Sequence, residues 1–112
     1  MSKREWGNAT WNILHTLAAK LRPASPHDIA VAFGILEQIA LHLPCPDCSA
    51  HARITIEELV RQHPPRTNYD VQTLFWHMHN LVNARLHKPA FPWSEMGLYH
   101  RLPTTSVVSA YY

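Results

Sequence analysis

Glycine, cysteine and charge are all scarce in this chain of 112 residues: three glycines, two cysteines and 16% charged residues. Alternating strand-like runs are scarce as well, which argues against a fold built from strands. No apolar run approaches the roughly 18 residues of a membrane-spanning helix. The N-terminus shows no apolar signal-like stretch, so the chain is expected in a reducing compartment, where structural disulfides are rare. Ten basic residues against eight acidic ones leave a formal net charge of +2. They are scattered, the densest run being Lys3-Arg4, and so do not form the basic footprint of a nucleic-acid binder. So little charge leaves much of the surface uncharged, with part of it available to a ligand or a second subunit.

What is present is apolar and helical in period. Hydrophobic residues make up 46% of the chain, enough to exclude general disorder, and the length fits one domain. Gly7, Trp11, Leu14, Ala18 and Leu21 form a first stripe that Pro23 ends. Ser25 reads as an N-cap, Pro26 suits the first helical position, and Asp28 completes a capping-box-like pattern. Ile29, Phe33, Leu36, Ala40 and Leu43 follow, closed by Pro44. A third helix is expected from Cys45 or Pro46, with Ala52, Ile56, Leu59 and Val60 inside, stopping before Pro64-Pro65. Asn68 is expected to cap a fourth, with Val71, Leu74, Phe75, Met78, Leu81 and Val82 on one side, running to about Leu86. Ser94 is placed to cap a short fifth helix with Met96 and Tyr99. The expectation is an all-α, four-helix bundle plus a short fifth helix. A domain over residues 1–101 is followed by a Ser/Thr-rich tail, 102–112, read as extended or disordered.

The two cysteines stand three apart, in Pro44-Cys45-Pro46-Asp47-Cys48, at an expected helix start. Exposed amides there stabilise a thiolate, and the spacing lets the two sulfurs form and open a disulfide. A purely structural bridge gains little from closing so small a loop. A zinc site would use Cys45, Cys48, His51 and another histidine, but tetrahedral sites usually draw on a second ligand pair. His77 and His79 point about 200° apart on a helix and make no clamp. A redox pair is the preferred reading, with no metal. Helical period before the pair argues against a thioredoxin fold, which would put the motif after a strand. An oxidase built this way needs a cofactor to accept electrons.

Gly7, Trp11 and His15, four residues apart, share one face of the first helix. Gly7 lets a flat ligand approach, Trp11 offers a stacking surface, and His15 a hydrogen bond. His79 and Asn83 share a face of the fourth helix, with Asn80 beside them and Arg85 and Lys88 near its end. Rings, amides and a basic end suit a ring-plus-phosphate ligand. Singly, each residue has a plainer role in core packing, at the surface, or against a helix dipole.

Several blocks stand in order from Trp6 to Trp93. They are Trp6-Gly7 with Trp11; Leu14-His15-Thr16-Leu17-Ala18-Ala19; Leu43-Pro44-Cys45-Pro46-Asp47-Cys48 with His51; and His77-Met78-His79-Asn80-Leu81-Val82-Asn83 with Leu86 and Lys88-Pro89. In these the chain resembles the Erv/ALR flavin-linked sulfhydryl oxidases. The compact forms encoded by large DNA viruses of the poxvirus and African swine fever type are especially similar, notably over Cys45 to Glu57.

The resemblance implies a helical bundle with noncovalently bound FAD at one end, and a homodimer. It implies that Cys48 is the flavin-proximal sulfur and Cys45 the one that exchanges with substrate. Gly7, Trp11, His15, His51, His79, Asn80, Asn83, Arg85 and Lys88 would contact FAD. The implied activity passes electrons from substrate dithiols through Cys45-Cys48 to FAD and then to O2, giving H2O2.

The chain departs from the family pattern in places. Trp76 and Trp93 stand where many members carry a second, structural cystine, and their packing is expected to replace it. Lys20-Leu21 stand where relatives have tyrosines, and His87 where a glycine is common. There is no distal shuttle pair, so the expected substrate is a dithiol protein or a small shuttle protein with its own CxxC. An intracellular location is expected: the host cytosol and, for a viral protein, the virion. Two other readings remain, a non-enzymatic zinc-binding adaptor and a flavin-free thiol-disulfide carrier.

Overall fold

A computed structural model of the chain describes residues 3–43 and 46–100. Cys45 and the tail 102–112 lie outside the described residues. Every regular element within them is helical: α1 (Lys3–Ala19), α2 (Pro26–Leu41), α3 (Pro46–Gln62), α4 (Asn68–Arg85) and a 3₁₀ helix (Trp93–His100). None of these helices is long and apolar enough to cross a membrane.

Local chemistry sets the helix ends. Ser25 caps α2, its hydroxyl accepting the Asp28 N–H at 3.2 Å, and Pro26 follows. Asp28 does not return the bond to Ser25 as a capping box would. Its carboxylate instead accepts from the Arg22 backbone N–H and forms a two-pronged pair with the Arg22 guanidinium, at 2.9, 3.0 and 2.7 Å. The fork geometry of arginine outcompetes a neutral amide for a carboxylate. This pairing holds the Asp28 carboxyl well below the usual range. The cap of α4 is Thr67 rather than Asn68. Thr67 Oγ1 accepts the Asp70 N–H, and Asp70 accepts the Thr67 N–H, both at 3.1 Å. A hydroxyl three residues before a carboxylate satisfies two otherwise orphaned donors, which Asn68 cannot match.

One core joins the four helices: Leu14, Ala18 and Leu21 from α1 and the turn after it; Ile29, Ala32, Leu36 and Ala40 from α2; Ala52 and Ile56 from α3; Val71, Phe75 and Met78 from α4. The stripes read from spacing supply most of these. Leu81 is a correction: it is half exposed, at 50%. At 100° per residue it falls about 80° off the line of Val71, Phe75 and Met78, at the edge of the stripe. Met96 and Tyr99 of the 3₁₀ helix are buried. This helix packs on α1, while α1 packs most extensively on α4 and α2 on α3.

Candidate functional site: a stacked aromatic and histidine centre

The pairing of α1 with α4 brings residues 64 positions apart into one hydrogen bond. His15 Nε2 and His79 Nδ1 lie 2.8 Å apart, one donating and the other accepting. His15 is fully buried and His79 nearly so. Burial, reinforced by His79, lowers the His15 pKa to about 3; burial, then the Lys88 charge, lowers that of His79 to about 4. Both imidazoles are therefore neutral near pH 7. Taking an imidazolium out of water is costly, so the pair holds one shared proton bridge instead of a charge.

Two further rings stack on the pair. Trp11 lies 4.2 Å from His79 at an interplanar angle of 7°. Phe91 lies 4.8 Å from His79 at 20° and 5.5 Å from His15 at 10°. One imidazole face holds a single ring at such distances, so Trp11 and Phe91 take opposite faces of the pair. Tyr99 tilts against His15 at 4.9 Å and donates its hydroxyl to Asn12 Oδ1 at 3.3 Å.

Among the described residues, two buried side-chain atoms have no hydrogen-bond partner: His15 Nδ1, in this centre, and Thr16 Oγ1, at the next position of α1. Such orphans usually carry a free-energy penalty that a ligand or water would remove. Gly7 lies one turn before Trp11, and a methyl group placed on it would meet none of the described residues within 4 Å. The approach to α1 beside the Trp11 ring is thus open. Lys88 and Arg85 are exposed at the end of α4, and Lys88 is close enough to act on His79 electrostatically. The structure therefore brings Trp11, His15, His79 and the Lys88 charge together, with Gly7 at the open side. Arg85 sits in the last turn of α4 with no direct link to the rings.

Asn80 and Asn83 both bond the backbone of the segment that follows α4. Asn80 Oδ1 accepts the Phe91 N–H at 2.6 Å, and Asn80 Nδ2 donates to the Phe91 carbonyl at 3.1 Å. Asn83 Nδ2 donates to the Pro89 carbonyl at 3.3 Å. Phe91 itself was missed by sequence reasoning. It lies outside every helical stripe, and only its place just after Lys88-Pro89 could have drawn notice.

The dithiol segment meets the bundle through α3. Cys48 is exposed in the first turn of α3, and His51 is exposed one turn later. Ala52, four residues after Cys48 on the same face, belongs to the core that includes Met78, the neighbour of His79. Among the described residues, no group of three or more His, Cys, Asp or Glu is placed to hold a metal.

The model of the Erv1 / Alr family matches residues 8–101. The chain belongs to that family. Among Erv1 / Alr relatives, the FAD-linked sulfhydryl oxidase ERV1 of Arabidopsis thaliana is 33% identical over 99 residues, covering 82% of this chain and 48% of that protein. Its namesake in Oryza sativa subsp. japonica is 31% identical over 99 residues, covering 82% and 47%. The chain thus spans about half the length of these plant relatives. Protein 096R of invertebrate iridescent virus 3 is 31% identical over 99 residues, covering 88% of this chain and 67% of its own length. In fold, the chain is similar to the crystal structure of the yeast Erv1 core, with a TM-score of 0.66 at 20% identity, covering 90% of this chain and 82% of that one.

Proposed function

We propose that this Erv1 / Alr chain is an FAD-dependent thiol oxidase that forms disulfides in dithiol proteins. Similarity to relatives named FAD-linked sulfhydryl oxidases supports it. The observation that carries it is the stacked centre itself: Trp11 on a neutral histidine pair, with His15 Nδ1 buried and unpartnered.

The residues fit the cofactor. Trp11 and the open face beside Gly7 suit a flat ring system. His15 holds an unused polar atom for it, and Lys88 and Arg85 bring positive charge for a pyrophosphate. Bound FAD would supply a two-electron acceptor whose electrons end on dioxygen as hydrogen peroxide.

The protein's own part is thiol chemistry. A substrate thiolate attacks Cys45 Sγ of the oxidised pair; the new sulfur–sulfur bond forms as the Cys45–Cys48 bond breaks, and Cys48 leaves as a thiolate. A second substrate thiolate attacks the substrate sulfur of that mixed disulfide, releasing oxidised substrate and Cys45. Cys48, in the first turn of α3, has its thiolate favoured by the helix N-terminus. It is the sulfur we assign to the cofactor side. The partner we assign is a dithiol protein or a small carrier with its own CxxC, whose thiols would meet the Cys45–Cys48 pair. An intracellular site of action and a homodimer complete the proposal.

An absorbance spectrum of the purified chain tests the cofactor. The oxidase is yellow and consumes oxygen with a dithiol. A colourless, metal-containing protein would be a zinc adaptor, and a colourless, metal-free, redox-active one a thiol carrier. Cys48→Ser should abolish turnover while FAD stays bound. Cys45→Ser should block substrate exchange. Full activity in either variant overturns the assignment.

A further inference from the structure

Phe91 follows α4 in a segment with proline at 89 and 92. Its ring nevertheless backs both histidines. The hold comes from α4. Asn80 binds Phe91 through both its N–H and its carbonyl, and Trp76, one turn earlier, donates Nε1–H to the same carbonyl at 2.8 Å. The Trp76 ring meets Trp93 edge to face, at 5.4 Å and 86°, and Trp93 meets Tyr69 at 5.7 Å and 67°. The segment between α4 and the 3₁₀ helix is thus fastened to α4 where it enters the 3₁₀ helix.

We propose that Trp76 and Asn80 are positioning residues: through the Phe91 backbone they hold the Phe91 ring against the His15–His79 pair and so fix the orientation of the ring-binding face. This rests on the FAD-site reading above. An imidazole ring has a broad, roughly two-fold torsional preference. Trp11 on one side and Phe91 on the other remove that freedom and keep the 2.8 Å bond in line. The fastening consists of rings and amide bonds, so the thiols that open the Cys45–Cys48 pair do not loosen it. A site that works among substrate thiols gains from such an anchor.

The test is FAD titration of the full chain by visible absorbance, with histidine ring-proton NMR of the FAD-free chain as a second readout. The variants are Phe91→Leu, Asn80→Ala, their double, and Trp76→Phe, which keeps a ring against Trp93 but drops the N–H. Each single change should weaken FAD about fivefold or more, the equivalent of one lost hydrogen bond or ring contact. The double should be no weaker than Phe91→Leu alone, because Asn80 acts through Phe91. In FAD-free Asn80→Ala and Trp76→Phe, the His79 ring protons should move downfield as the stacked ring withdraws. Phe91→Tyr should restore wild-type affinity. A lower melting temperature with unchanged His79 resonances and FAD affinity, or additive losses in the double, overturns the proposal. Should Phe91→Leu fail to fold, Trp76→Phe carries both readouts alone. Wild-type chain that takes up no FAD sinks the cofactor reading and this inference with it; wild-type binding matched by every variant sinks only the positioning role.

Discussion

The histidine pair makes a statement about pH. His15 and His79 are held near 3 and 4, against an ordinary 6.5. The unfolded chain therefore binds more protons than the folded one between those values. Stability from this pair is complete above about pH 6.5 and falls as pH drops through it. Each histidine accounts for up to about 1.4 kcal/mol per pH unit. A urea midpoint that falls from pH 7 to pH 5, with a flatter profile in His79→Phe, is the expected result; an unchanged midpoint would mean that the pair is not buried neutral. A second single-residue effect sits at the end of α4. His87 adopts φ of 58°, just past the C-cap Leu86, in the left-handed region that costs most side chains about 1 kcal/mol. A glycine at this position, just past a helix C-cap, would avoid that cost. His87→Gly should raise the unfolding free energy by no more than about 0.5 kcal/mol, read as a small rise in the denaturant midpoint, because the extra unfolded-state entropy of glycine offsets about 0.5–1 kcal/mol of the relief.

At the scale of elements, the helix starts are where stability can be tuned without touching the site. Thr67→Ala removes one bond of the α4 capping box and should cost about 1 kcal/mol, read as a lower denaturant midpoint, with Thr67→Ser recovering most of it. These elements were legible in the sequence because their causes are local. Proline at 23, 44 and 64–65, Ser25 before Pro26, and apolar steps of three and four give four helices without any knowledge of their packing. Asn68 in place of Thr67 was an error of one position, since both residues are cap formers and only the reciprocal bond to Asp70 separates them. The site was legible in part. Trp11, His15 and His79 were found by spacing along their own helices. Phe91 and the clamp made by Asn80 and Trp76 were not, because they depend on contacts 11 to 15 residues apart across a proline-bounded turn, where no period operates.

For the whole molecule, the bundle leaves an apolar face unpaired. On the outer side of α2, Val31 and Ile35, one turn apart, are 44% and 36% exposed. The inner face of the same helix is filled by Ile29, Ala32, Leu36 and Ala40. Isolated exposed apolar residues need no explanation, but a second stripe on one helix does. A homodimer through α2 would cover it and would account for so low a proportion of charge on the chain. Light scattering at micromolar concentration should then return twice the 12.9 kDa chain mass. Val31→Glu with Ile35→Glu places charge at the centre of that face and leaves the inner stripe intact, so the chain should stay folded and return the single-chain mass. The substituted residues lie away from Trp11, His15 and His79, so the variant also separates assembly from cofactor binding. If it keeps FAD as a monomer, the site is complete within one chain; if it loses FAD as it dissociates, the second subunit supports the site. A wild-type chain that scatters as a monomer would remove the dimer and leave the exposed stripe of α2 to another partner.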